Sequence, residues 1–366
     1  MFAWRVVVAV LIVLPILSCP GFAATTGAED ADETWGRPKR ILWVDSYDEG
    51  YEWSQGIEKG LRQALAGTGV KLDIWRMDTR RHKEKTFARQ AGISARDHIE
   101  RVRPDLVIAS DDNAQQYLVV PFLKDTALPV VFCGVSEDPA GYGYPASNVT
   151  GMVEVDQVDE LFRQLRRFAR GDRIGVLFGA HGPARTFARW NNERLFQNRM
   201  KVYEVHTMAE FKQAVLAARQ EVDMLHLRNY VGIEDWDAAE AEAFLLAHAG
   251  IPTGAVNSWM KNLVLFTLAK LPEEQGEYAA LAALRILYGA RPGDIPLVSN
   301  RLARLTVNLR MARAAGIVLP VSLLRTADII GREAYDDNAA AESQSEPAHF
   351  DAPAQNRKSE GKRLHP

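Results

Sequence analysis

The sequence predicts an α/β protein of two lobes, each a parallel sheet covered by helices on both faces. Three observations carry this. From Arg40 onward, short apolar runs alternate with longer segments whose apolar residues recur with a period near 3.6. The alternation starts afresh after "SNVTGMVEV". The last third holds too few elements for a core of its own, so it must complete the first two.

The elements follow in order. "RILWVDS" reads as a strand, and "WSQGIEKGLRQALAG" as an amphipathic helix ended by Gly67. "KLDIWRMD" is a strand, and "TFARQAGISARDHIERVRP" a helix stopped by Pro104. "DLVIAS" is the third strand, "NAQQYLVVPFLKDT" a helix with an internal proline, and "LPVVFCGV" the fourth strand. "SNVTGMVEV" is a strand that leaves this unit.

The second unit alternates "QVDELFRQLRRFA", "RIGVLFG", "ARTFARWNNERLFQ", "MKVYEVH", "MAEFKQAVLAARQ", "VDMLHLRN", "DWDAAEAEAFLLAHAG" and "IPTGAVNS" as helix and strand in turn. Of the remainder, "NLVLFTLAK" is a strand, "EQGEYAALAALRILYG" a helix, and "RLTVNLRMARAAGI" a strand running into a helix. The expected division puts residues 40–150 with about 262–295 in an N-terminal lobe, and residues 151–261 with about 296–330 in a C-terminal lobe. Crossover strands would join the two Rossmann-like lobes. The polar, aperiodic stretch of residues 331–366 is expected to be disordered.

The first residues have another character. Arg5 is followed by the apolar run Val6–Leu17, and "GFA" places small residues before a cleavage point after Ala23. Residues 1–23 therefore read as a signal peptide, ahead of a polar leader at 24–39. The run is shorter than the roughly 20 residues a spanning helix needs. This predicts a periplasmic or extracellular protein. Lipidation at Cys19 is the alternative, with Leu17 and Pro20 fitting it poorly. Cys133, in an apolar strand, reads as a buried small hydrophobe.

The charge balance excludes some functions. A formal net charge of −3 on 366 residues argues against a nucleic-acid partner. There is no phosphate-binding loop of the GxxxxGK[ST] type, and "GYGYPA" lacks the third glycine of a dinucleotide fingerprint. "GVSED" lacks the closing glycine of a nucleophile elbow. The histidines show no HExxH pairing, so neither a metal nor another cofactor is indicated. With no acid, base or nucleophile constellation, binding is favoured over catalysis. "NVT" at Asn148 sits in a strand and reads as structural.

In open α/β sheets, ligands bind beyond the carboxyl ends of the strands. The loops there are unusually aromatic and polar. Ser46, Tyr47, Tyr51 and Trp53 follow the first strand, and Asp111, Asp112 and Asn113 the third. Gly134, Val135 and Ser136 follow the fourth. In the second lobe the equivalents are Arg185, Asn229 with Tyr230, and Asn257 with Trp259. Taken singly, the polar residues are ordinary helix caps and the rings ordinary helix staples. Their recurrence at the one sheet edge where two lobes can face each other points to a pocket.

"VDSYDEGYEWSQGI", "LPVVFCGVSEDP", "NVTGMVE", "EEQGEYAALAALRILYGARPGDIP" and "TVNLRMARAAGIVLPVSLLRTADIIG" resemble, in order and spacing, the ABC-transporter substrate-binding family with the type I periplasmic-binding-protein fold. The likeness spans roughly residues 41–331. It departs at "MKNLVLFTLAK", where Leu263, Val264 and Leu265 stand in place of a glycine-rich turn. The resemblance implies lobes that close on a small organic ligand, such as an amino acid or aromatic compound, and deliver it to an ABC permease. "SY..GY.W" and "FCGV" also resemble extracellular sensor domains, which implies a membrane signalling protein as the alternative partner. An α/β hydrolase is the reading of a different class. From loop position alone, Asp111 or Asp112 would receive an amine, and N–H groups near Gly134–Ser136 a carboxylate.

Overall fold

The structure is a computed structural model and describes residues 37–332 apart from residue 137. The expected signal peptide, Cys19, most of the polar leader and nearly all of the expected tail lie outside the described residues. From Lys39 the chain forms one unit.

The first unit runs β1 (Arg40–Asp45), α1 (Glu52–Leu65), β2 (Lys71–Arg76), α2 (Lys85–Val102), β3 (Leu106–Ser110), α3 (Asp111–Ala114), β4 (Val130–Ser136) and β5 (Val149–Glu154). The second runs α4 (Val158–Arg166), β6 (Ile174–Gly179), α5 (Gly182–Phe196), β7 (Lys201–Val205), α6 (Met208–Glu221), β8 (Met224–Asn229), α7 (Ala238–Ala247), β9 (Thr253–Ala255) and β10 (Phe266–Lys270). The chain then returns through α8 (Pro272–Leu287) and β11 (Val298–Ser299). It ends with β12 (Ala303–Asn308), α9 (Leu309–Ala314), α10 (Val321–Leu324) and β13 (Asp328–Ile330).

Two sheets result. The first has the order β11-β5-β4-β3-β1-β2 and is parallel throughout. The second has the order β13-β12-β10-β9-β8-β6-β7, and only its β10–β12 pair is antiparallel. This is the two-lobed α/β architecture the periodicity predicts.

The strand membership differs from the expected lobe boundaries in three places. β5 stays in the first sheet through Glu154, beside β4. β10 joins the second sheet between β9 and β12, and β11 sits on the edge of the first. A buried apolar strand such as "FTLAK" is equally acceptable to either sheet, and its neighbours are set by tertiary pairing. The chain therefore crosses between lobes after β5, after β10 and after β11.

β1 shows how a continuous apolar run serves a two-faced sheet. Ile41 and Trp43 pack under α1 and α8, while Leu42 and Val44 face the cluster formed with α2. All four are wholly buried. Each such side chain contributes about 1.5–3 kcal/mol by leaving water. α1 and α8 meet through glycines: a Cβ on Gly60 would lie 2.1 Å from the Glu273 carbonyl oxygen, and one on Gly276 2.1 Å from that of Ile57. The expected proline-bearing helix is α3 running into a π-helix at Gln115–Leu123. Pro121 removes an N–H and crowds the preceding turn, which favours the wider winding.

Two sequence readings concern packing alone. Cys133 is buried and free. Asn148 is buried and donates to the carbonyls of Leu123 and Leu128, so its side chain is structural. Leu263, Val264 and Leu265 are buried in the second lobe's core and do not line the cleft described below.

Candidate ligand-binding cleft

The carboxyl ends of both sheets face a cleft of about 680 Å³ between the lobes. One wall comes from the turn after β1. Asp45, wholly buried, accepts from the Tyr47 N–H and the Ser54 hydroxyl with one oxygen, and from Arg76 Nη1 at 2.6 Å with the other. These bonds fix the turn and aim Tyr47, Tyr51 and Trp53 into the cleft. Tyr47 and Tyr51 meet edge to face with centroids 5.2 Å apart, the arrangement their quadrupoles favour. Burial raises the Tyr47 pKa, and the nearby Asp111 raises it further, so its hydroxyl stays neutral.

Asp111 is 3% exposed and lines the floor. Its Oδ1 accepts the Trp53 indole N–H at 2.9 Å, whereas its Oδ2 has no hydrogen-bond partner. Its backbone has φ of 67°, a left-handed conformation that an aspartate adopts at a cost. Burial raises its pKa well above the usual carboxylate range, and the charges of Glu154, Asp45 and Asp112 add to this. Beside it, Asp112 accepts from the Tyr142 hydroxyl at 2.8 Å. Gly134, at φ of 67°, leaves room for Asp111: a Cβ there would lie 2.7 Å from Asp111 Oδ1.

The remaining wall is charged and comes from the crossovers. Lys270, at the end of β10, pairs with Glu154 and also with Asp156 at 2.6 Å. Asp156 in turn lies 3.3 Å from Arg228 Nη1. Burial opposes the charge on Lys270, but Asp156 and Glu154 outweigh it and raise its pKa. Burial would likewise raise Asp156, yet Lys270 and Arg228 prevail and lower it. The network thus ties two crossovers together at the back of the cleft.

From the second lobe, Asn257 and Trp259 line the cleft, with Trp259 46% exposed. Tyr230 supports Trp259 edge to face at 5.0 Å and itself stacks on Trp236 at 4.7 Å.

The geometry therefore gathers Tyr47, Tyr51, Trp53, Asp111, Asp112, Gly134 and Ser136 on the first lobe, and opposite them Asn257 and Trp259. Other expected site residues lie behind the lining. Ser46 is wholly buried, donating to the Ser110 carbonyl and accepting from the Ala114 N–H. Asn113 donates to Thr79, Val135 is wholly buried, and Asn229 is buried with its Oδ1 unpartnered. Arg185 pairs with Glu204 on an exposed face, because its helix turns it away from the cleft. The expected carboxylate receptor is also altered: the Gly134 N–H donates to Gln275 Oε1 at 2.9 Å and is already satisfied.

Sequence reading missed Glu154, Lys270 and Arg304 as lining residues. Glu154 and Lys270 each end a strand, which was the available signal. It was overlooked because the sheets they belong to could not be assigned.

No protein with a curated record matches the chain. Among solved structures it is similar to the ligand-free, open form of CD0873, a substrate-binding protein with adhesive properties from Clostridium difficile. That match has 19% identity and a TM-score of 0.63, over 80% of this chain and 99% of the other. An ABC domain from Streptococcus pneumonia in complex with L-Trp is similar at 19% identity and a TM-score of 0.52, over 80% and 100%. A conserved domain protein from Vibrio cholerae matches at 19% and 0.52, over 80% and 99%. The shared fold is that of type I periplasmic binding proteins. The family described as ABC transporter substrate binding protein matches residues 48–330, and the chain belongs to it.

Proposed function

We propose that this protein captures a small organic solute in the interlobe cleft, closes on it, and delivers it to an ABC permease outside the cytoplasm. The observation that carries the reading is the pair of aromatic jaws: Tyr47, Tyr51 and Trp53 on one lobe and Trp259 on the other line one cleft. A flat ligand between them would touch both lobes. Such a ligand favours the closed state by its differential affinity for the two conformations. The pneumococcal relative's complex with L-Trp supports a ring-bearing ligand.

The reading predicts that some small solute raises the melting temperature, quenches or shifts tryptophan emission, and lowers the radius of gyration in solution scattering. Saturation at a hundredfold excess over Kd stabilises by about 2.7 kcal/mol. A ligand that stabilises the protein without compaction, and equally well after Trp53→Ala and Trp259→Ala, would place binding elsewhere.

A further inference from the structure

The charges around the cleft are unevenly satisfied. Lys59 pairs with Glu273 at 3.3 Å, Lys270 with Asp156 and Glu154, and Arg304 lies 3.9 Å from Asp328. Each lining cation thus already has an acid. Asp111 and Asp112 have no cationic partner among the described residues. Asp111 Oδ2 is buried within the lining and without a donor. A buried carboxylate in this state costs several kcal/mol unless it is neutralised or paired. The Gly134 N–H, in the lining, is occupied by Gln275. Among the described residues no cation pairs with the acids of the floor, and Asp111 holds an unpartnered acceptor.

We propose that the cleft selects an organic cation, a flat ring bearing an ammonium group and no carboxylate, with the ammonium docked on Asp111. This rests on the solute-capture reading above and names the chemical class it takes. The ammonium would donate to the unpartnered Oδ2, which is shut from solvent in this state and would have to open to the ligand, while the Trp53 indole holds Oδ1. The ring would lie against Tyr47, Tyr51 and Trp53, whose faces also attract a cation. A zwitterionic amino acid would bring its own carboxylate beside Asp111, Asp112 and Glu154, where like charge opposes it.

The test is calorimetric titration of the purified chain with a panel of aryl-alkyl ammonium compounds, tryptamine and phenethylamine among them. The same is done with tryptophan and phenylalanine, the ring propionates, and neutral sugars and nucleosides. The expected result is an amine bound at least tenfold more tightly than its amino acid, no binding of the propionates, and a tenfold or greater loss in Asp111→Asn. Equal or tighter binding of an amino acid or propionate overturns the proposal, and so does an amine affinity unchanged in Asp111→Asn. The wild-type panel decides even if that variant folds poorly. If a non-cationic solute binds while every amine is silent, cation selection falls and solute capture stands. If no class binds, both fall.

Discussion

The indole N–H of Trp53, on the first helix, donates to Asp111 Oδ1 at the end of the third strand, 2.9 Å away. This bond holds a carboxylate in the cleft whose second oxygen has no protein donor. On the proposed binding role, ligand capture and stability are therefore opposed at Asp111.

Replacing Asp111 by Asn keeps an acceptor for Trp53, removes the buried charge, and suits the left-handed backbone. Ligand-free Asp111→Asn should gain about 1–3 kcal/mol at neutral pH, roughly 2–4 °C per kcal/mol in Tm. The pH dependence has a definite sign. Because burial raises Asp111 in the folded state, with Glu154, Asp45 and Asp112 adding to it, the folded chain holds this proton more tightly than the unfolded chain. Wild-type stability from this group is full below the ordinary value of 3.8 and is lost as pH rises through the raised one. The advantage of Asp111→Asn should grow over that window. Melting curves in which the two proteins keep a constant difference across pH would refute this.

Lys270 is the cation shared by Glu154 and Asp156, and its removal leaves two buried acids facing each other. Lys270→Met should destabilise by about 3–5 kcal/mol. Glu154→Gln in the same chain should recover part of the loss. Urea denaturation measures both, and a Lys270→Met variant as stable as wild type would mean that the network contributes nothing.

Asn300 bridges two crossovers: its Oδ1 accepts the Val155 N–H at 2.7 Å and its Nδ2 donates to the Val155 carbonyl at 3.2 Å. Asn300→Ala strands both backbone groups at a cost of about 1–3 kcal/mol. Amide exchange should quicken at residues 153–157 more than in β1 or β3. Uniform protection in the variant would show that the bridge does not stiffen the hinge.

Gly276→Ala tests the close contact of α1 and α8. Alanine is the better helix former by about 1 kcal/mol, yet its methyl would lie 2.1 Å from the Ile57 carbonyl oxygen. The helices must part, and a net loss of about 1–3 kcal/mol is expected. A raised Tm would mean that the helices separate without cost.

The alternation of apolar runs and amphipathic segments was enough to reveal two α/β units, because burial on both faces of a parallel sheet demands it locally. The loops carrying Tyr47, Tyr51, Trp53, Asp111 and Trp259 could be found for the same reason: strand polarity alone says which end a ligand can approach. Several things depended on contacts between residues far apart in the chain. Pairing put β10 in the second sheet and so brought Lys270 to Glu154, 116 positions away. Gln275, 141 positions from Gly134, occupied the N–H that the sequence left open for an anion. Periodicity encodes which face of an element is buried. Which partner meets that face, and whether a charge there finds its opposite, is decided only when the whole chain has packed.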